Sequence, residues 1–276
     1  MTGELHWFKN MKSITIYTPI NHDYEALIIL MSRLNCQTNK DFVWHIINWG
    51  DRDIDDMISQ LRENSKLDIE YHKIEAKGKF IVTQFVFEHA KTNYILGCPC
   101  EFILKKNAID VIIRQWREVQ NKSLNLAEVR ALCEDKTGNI VGKTDCFMDV
   151  EFLDATWHDM VLKKHTTFHM ISSWDVLKFR ECVKMSDFKM FQDKYNELST
   201  SLFWSAIGNK YKTRYIFKSI ARINSNIQTN VITPNKYNAF VASYYMFIKN
   251  IKYFFYNPFY FIRLFIHIPY YLIKTI

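Results

Sequence analysis

The 276-residue sequence has few of the residues that interrupt regular structure, with only 7 Gly and 5 Pro. Its charged residues, 24% of the chain, and its hydrophobic residues, 48%, are present in ordinary amounts. This composition excludes a disordered, collagen-like or low-complexity chain. The length allows one large domain, or one domain with a sizeable appendage.

The six cysteines are too few and too scattered for a disulfide framework, and the N-terminal residues lack the layout of a secretory signal. We therefore expect free thiols in a reducing, cytoplasmic compartment. Cys98 and Cys100 flank Pro99 and could suggest a soft-metal site. Because no second thiol pair has zinc spacing, we interpret them as buried thiols beside a strand end.

Acidic residues are absent after Glu197, where the last 79 residues contain ten of the 36 Lys and Arg residues. The preceding 197 residues contain the other 26 basic residues and all 29 acidic ones, a net charge of −3. A slightly acidic body is thus followed by a basic tail. Such a tail favours an anionic surface, either phospholipid or nucleic acid.

No uncharged run in this tail reaches the ~18 residues that a membrane-spanning helix needs. Residues 237–276 instead interleave aromatic side chains with Lys and Arg at roughly helical spacing, which is typical of a helix lying in the headgroup region. The alternative is a helical hairpin that packs its aromatic stripe on the body. Nucleic acid is the least favoured partner, because no recognised RNA-binding module accompanies the tail.

The body alternates between strand and helix patterns. Short β-branched or apolar runs predict strands at 13–17, 42–47 and 67–71 and from residue 94, and helical spacing predicts helices over 23–35, 54–64 and 79–91. Asp53 is a plausible cap for the second helix. This order predicts an α/β fold with a mostly parallel sheet. The absence of G-x-G-x-x-G and Walker motifs argues against a dinucleotide enzyme and a P-loop NTPase.

Several segments, taken in order, resemble the family 2 glycosyltransferases. LNCQTNKDF (34–42) is similar to the family's helix end before its second strand, and FEHAKTNYIL (87–96), with Gly78 and Lys79 upstream, is similar to the stretch that leads to D-x-D. NKYKTRYI (209–216) and KYFFYNP (252–258) resemble segments of members that build surface polysaccharides.

This resemblance implies a GT-A-like, mostly parallel sheet flanked by helices over residues 1–222, and a basic, aromatic helical extension over 223–276. It also implies transfer of a sugar from a nucleotide-sugar donor to a polysaccharide or lipid-linked acceptor. We expect such a protein to lie at the inner face of the cell membrane as a peripheral protein, attached by its tail, and not to bind nucleic acid.

The resemblance also implies a nucleotide-sugar site. Thr18 and Pro19 match the family's T-P, Asn48 stands where the family has an acidic residue that contacts the base, and Lys79 could reach a phosphate or be exposed to solvent. The D-x-D segment that binds Mn²⁺ or Mg²⁺ in the family is replaced here by Pro99-Cys100-Glu101. Only Glu101 remains as a carboxylate ligand.

The catalytic base of an inverting transferase is a carboxylate just before the segment matched by Leu202-Phe203-Trp204. Glu197 is the first candidate and Asp193 the second, while both could equally be solvated charges on a helix face. Residues 157–159 and 172–175 match the family's acceptor region, and Trp174 and Asp175 are the acceptor candidates.

These replacements leave two hypotheses open. In the first, the protein is an active glycosyltransferase. One form of this hypothesis is that the enzyme transfers the sugar without a metal ion. In the second, the fold has lost its D-x-D motif and base and serves as a non-catalytic partner or scaffold of an active glycosyltransferase.

Overall fold

The computed structural model describes residues 12–75, 78–142, 150–164, 166, 169–183, 201–223 and 236–273. Nine strands form one sheet that has helices on both faces. The α/β fold class predicted from the sequence is confirmed.

The strands and helices follow in chain order. The strands are β1 (Ile14–Ile20), β2 (Phe42–Asn48), β3 (Ile69–Lys73), β4 (Tyr94–Gly97), β5 (Phe102–Leu104), β6 (Leu126–Glu134), β7 (Phe152–Ala155), β8 (Met170–Asp175) and β9 (Lys212–Ile223). The α-helices are α1 (Ala26–Asn35), α2 (Asp55–Glu63), α3 (Lys79–His89), α4 (Ala108–Asn121), α5 (Val176–Cys182), α6 (Ser201–Gly208), α7 (Lys236–Asn250) and α8 (Pro258–Ile273). A π-helical turn spans Asp159–Lys163, and a 3₁₀ segment spans Ile251–Tyr256.

The first half of the sheet is parallel, in the order β3-β2-β1-β4. β1 and β2 are buried along nearly their whole length because helices cover both of their faces, as is typical of parallel strands. Each predicted element of this half is present, with bounds that differ by a few residues. Asp53 is not the cap predicted for α2, because the helix begins one residue later and Ile54 occupies the N-cap position; the Asp53 carboxylate accepts a hydrogen bond from the backbone N–H of Asp55 at 2.9 Å in the turn before it.

The second half of the sheet is mixed. β8 lies antiparallel between β4 and β6, and β6 pairs with β9 in parallel. The long β9 has two partners on its other side: β7 pairs with its first half and β5 with its end. Register shifts between β6 and β9 accompany this change of partner.

The two faces of the sheet have different cores. The aliphatic face lies under α1, α2 and α4, and most of its buried side chains are Ile, Leu and Val. The aromatic face lies under α3, α5, α6, α7 and α8 and is rich in Phe, Trp and Tyr.

The C-terminal helices join the aromatic face through Met246 and Phe261, which are buried. At the end of α7, the side-chain oxygen of buried Asn250 accepts a hydrogen bond from Ser205 on α6 at 3.0 Å and lies 2.7 Å from Nε2 of His158. Other large apolar side chains of this segment stay exposed, such as Phe255 at 90% and Phe259 at 83%. Within the described residues, none of the helices combines the length and apolar character that a membrane span requires.

Candidate functional site

The carboxyl ends of β1, β2 and β3 meet at one edge of the sheet, where ligands bind in open α/β folds. Asn48 ends β2 and is fully buried. Its Nδ2 donates to the Arg52 carbonyl at 2.9 Å and to the Tyr71 hydroxyl at 3.2 Å, and its Oδ1 accepts from the N–H of Gly50 at 3.0 Å. The amide thus fixes the loop after β2 against β3.

The loops after β1 and β2 touch at Gly50. A Cβ atom on this residue would lie 2.2 Å from the Tyr24 hydroxyl oxygen and 2.5 Å from the Asn21 carbonyl oxygen. The Asn21 atom in this contact belongs to the backbone, so rotation of a side chain cannot relieve the overlap. Any larger residue at position 50 must therefore push the two loops apart.

Two cations lie at this edge. The Arg52 guanidinium is 5.3 Å from the centre of the Tyr24 ring and pairs with Glu25 at 3.2 Å. Lys73, the last residue of β3, donates to the carbonyls of Gly50 and, at 3.1 Å, of Arg52. Both side chains are exposed, so this edge offers positive charge beside an aromatic and amide cluster.

The other sequence candidates for nucleotide binding surround the same strand ends. Thr18 is buried, donates to the Cys98 carbonyl at 2.8 Å and accepts from the Trp44 indole at 2.9 Å. Pro19 is half-buried near the end of β1. Lys79 begins α3 directly after Gly78, whose φ of 126° favours glycine.

The segment after β4 replaces the expected metal-binding carboxylates. Cys98 is fully buried and Cys100 half-buried. Burial raises the pKa of Cys100 to about 12 and that of Cys98 well above its ordinary value, so both thiols stay protonated. Glu101 is then the one carboxylate of this segment, where the family's D-x-D supplies two.

The two acceptor candidates occupy the end of β8. Trp174 is buried, and its ring meets that of Phe87 edge-on at 5.8 Å. Asp175 caps α5 by accepting from the N–H of Lys178 at 3.0 Å. Glu197 and Asp193, the candidates for the base, lie outside the described residues, which resume at Ser201 at the start of α6.

A buried polar row beside Trp174 was not predicted from the sequence. Glu128 and Arg130 of β6 are buried and project to the aromatic face, and Glu128 accepts from the Thr213 hydroxyl at 2.9 Å. Arg130 lies 5.0 Å from the centre of the Trp204 ring on α6. The alternation of polar and apolar residues in LAEVRALCE (126–134) was the one sequence signal for this row. It could not identify the row, because a strand with one face exposed to solvent gives the same alternation.

A second unpredicted group lies under α3, on β2 and β3. His45, Glu70 and His72 each present one possible metal-ligand atom, and the three atoms lie within 4.8 Å of one another. The sequence gives no metal-binding spacing here, because 24 residues separate His45 from Glu70. Only the pairing of the strands brings these side chains together.

No protein-family model matches the sequence, and no curated protein is significantly similar to it. Solved structures of S. aureus TarS, a glycosyltransferase of the GT-A type, have a similar fold. TarS 1–349 in complex with UDP gives a TM-score of 0.60 at 12% identity, over 87% of this chain and 65% of the TarS chain. The complex with UDP-GlcNAc gives 0.60 at 10%, over 94% and 71%. A longer TarS structure gives 0.57 at 10%, over 86% and 43%. Identities this low show a shared fold.

Proposed function

We propose that this protein is a glycosyltransferase that binds a nucleotide-sugar donor at the carboxyl edge of β1, β2 and β3. The observation that carries the proposal is the similarity in fold, over 87% and 94% of this chain, to TarS structures solved with UDP and with UDP-GlcNAc. Supporting it, buried polar contacts fix the loops at this edge in position.

In this proposal Asn48 positions the base-binding loop, because its buried amide already has partners within the protein. Tyr24 and Tyr71 line the base site on either side of it. Arg52 and Lys73 supply positive charge for the diphosphate, with Lys79 as a third cation from the start of α3. Because the segment after β4 keeps one carboxylate where D-x-D has two, we propose transfer that does not depend on Mn²⁺ or Mg²⁺.

The acceptor and location are further parts of the proposal. A polysaccharide or lipid-linked acceptor would approach the side of Trp174 and Asp175, and Glu197 or Asp193 would take the proton of its hydroxyl. The C-terminal extension, predicted to begin at residue 223, would hold the protein at the inner face of the membrane. Its exposed Phe255 and Phe259 and its lack of acidic residues support this placement.

The test is binding of UDP and UDP-sugars by the full chain, followed by product analysis with lipid-linked and polysaccharide acceptors. We expect binding and transfer that a chelator leaves undiminished. Absence of nucleotide binding at millimolar concentration, with or without Mn²⁺, would overturn the proposal.

A second candidate is a non-catalytic partner of an active glycosyltransferase. Two observations favour it: the single carboxylate after β4, and the Asn48 amide, which is occupied by contacts within the protein. This candidate predicts a stable complex with an active transferase and no turnover by the isolated chain. Full activity of the isolated chain would exclude it.

A further inference from the structure

His45, Glu70 and His72 lie side by side on one face of the sheet. His45 on β2 is the register partner of Glu70 on β3, and His72 stands two residues further along the same strand. Because side chains alternate along a strand, Glu70 and His72 point to the same face. Two imidazoles and one carboxylate thus converge under α3 from the last two strands of the sheet.

The distances between these side chains suit a small metal ion. Nε2 of His45 lies 3.1 Å from Oε2 of Glu70, and Nε2 of His72 lies 3.8 Å from the same oxygen. Ligands bound tetrahedrally to Zn²⁺ at 2.0–2.2 Å stand about 3.3 Å apart. All three ligand atoms lie within 4.8 Å of one another, so side-chain shifts of up to about 1.5 Å would bring them to that spacing.

The remaining contacts leave His72 available as a ligand. Nε2 of His72 is buried and has no hydrogen-bond partner among the described residues. The nearest cation, Nζ of Lys91, approaches the other carboxylate oxygen of Glu70, at 3.8 Å.

We propose that His45, Glu70 and His72 form a Zn²⁺ site with a fourth coordination position open to water. Two imidazoles and a carboxylate favour Zn²⁺ over Mg²⁺ or Mn²⁺, which prefer oxygen ligands. Glu70 and His72 are each about one third exposed, which gives the ion a route in. The site joins β3, the terminal strand of the sheet, to β2, and it differs in place and ligand type from the segment around Glu101.

The test is Zn²⁺ titration of the metal-stripped full chain by calorimetry, with its accessible cysteines alkylated so that exposed thiols such as Cys36 cannot bind the ion. We expect one equivalent of Zn²⁺ to bind and to raise the melting temperature, and Co²⁺ in its place to give the visible absorption of a tetrahedral complex. Neither readout depends on nucleotide or on turnover.

His72 and Glu70 are partly exposed, so each can be substituted without leaving a cavity in the hydrophobic core. His72→Asn and Glu70→Gln should each weaken Zn²⁺ binding by at least about 100-fold. Removing a residue that binds the metal costs more affinity than removing a residue that only hydrogen-bonds to such a ligand, which itself costs up to about 100-fold. His89→Asn is the control, since His89 lies on α3 near His72 but is exposed, and its Nδ1 lies 2.8 Å from the Phe85 carbonyl oxygen. The control should bind as the parent does.

Three results would overturn the proposal: no Zn²⁺ binding by the alkylated chain, binding that survives in both His72→Asn and Glu70→Gln, or equal loss in His89→Asn. His45 and Glu70 would then be a hydrogen-bonded pair, with the imidazole of His72 beside them. Circular dichroism of each variant shows that the fold is retained, so a loss of binding reports on the ligands.

Discussion

The two faces of the sheet differ in what they bury. The aliphatic face packs Ile, Leu and Val of α1, α2 and α4 closely. The aromatic face packs Phe, Trp and Tyr and also covers Glu128, Arg130, His158 and Asn250, which need hydrogen bonds or ion pairs inside the protein. The first face therefore holds the fold together, while the second carries the polar groups and the C-terminal helices, whose attachment depends on a few specific contacts.

The largest expected effect on stability comes from the aliphatic face. Leu30 on α1 is 1% exposed, and Leu30→Ala removes buried methyl groups and leaves a cavity. We expect a loss of about 2–5 kcal/mol in the free energy of unfolding. Ile29→Ala, on the same helix at a side chain 50% exposed, should change it by less than about 0.5 kcal/mol. Urea denaturation of both variants measures the difference, and equal losses would contradict this view of the face.

A smaller, local effect is expected at the joint to the C-terminal helices. Asn250→Ala leaves the Ser205 hydroxyl and Nε2 of His158 buried without their partner. We expect a cost of about 1–3 kcal/mol per orphaned group, felt mainly as opening of α7 and α8. Hydrogen exchange should speed up in these helices and not in α1. Uniformly faster exchange across the chain would mean that the opening is not confined to α7 and α8. Asn64→Ala, at the exposed end of α2, is the control.

The same joint should respond to pH. Burial lowers the pKa of His158, with Lys252 adding to the effect and Asn250 and Asp159 opposing it. Because the folded state favours the neutral ring, its contribution to stability is complete above the ordinary value of 6.5 and falls as the pH drops below it. After correction for the base-catalysed intrinsic exchange rate, the protection of α7 against hydrogen exchange should therefore be lower at pH 5.5 than at pH 7.5. His158→Gln should remove this difference, and a difference that persists would assign it to another group.

The smallest effect on stability should come from the exposed apolar side of the C-terminal segment. Phe255 and Phe259 are 90% and 83% exposed, so replacing both with Ser should shift the free energy of unfolding by less than about 1 kcal/mol. The same change should greatly reduce sedimentation with vesicles that contain anionic lipid. Parent protein that stays in solution with such vesicles would contradict membrane attachment.

The sequence predicted the first half of the fold well because each strand and helix from residue 13 to residue 96 has its own periodic pattern. The second half has no comparable local signal: β8 runs antiparallel to both of its neighbours, β4 and β6, and β9 changes partner along its length. The division into domains at residue 222 stays a prediction.

The site was harder to predict than the fold, because the role of a side chain depends on what surrounds it. Asn48 and Thr18 were predicted to contact the nucleotide, and the structure shows that their polar atoms already have partners within the protein. His45, Glu70 and Glu128 gave no motif, since their neighbours come from other strands. The roles of Glu197 and Asp193 stay predictions.

The most direct test of the central claim is calorimetric titration of the full chain with UDP, compared with two glycine variants. Gly50→Ala should abolish binding, because its Cβ would push apart the loops after β1 and β2. Gly138→Ala is the control: its φ of 89° strains alanine, but a Cβ there meets nothing within 4 Å. We predict binding by the parent and by Gly138→Ala and none by Gly50→Ala. No binding by the parent, or equal binding by all three, would contradict a nucleotide site at this edge of the sheet.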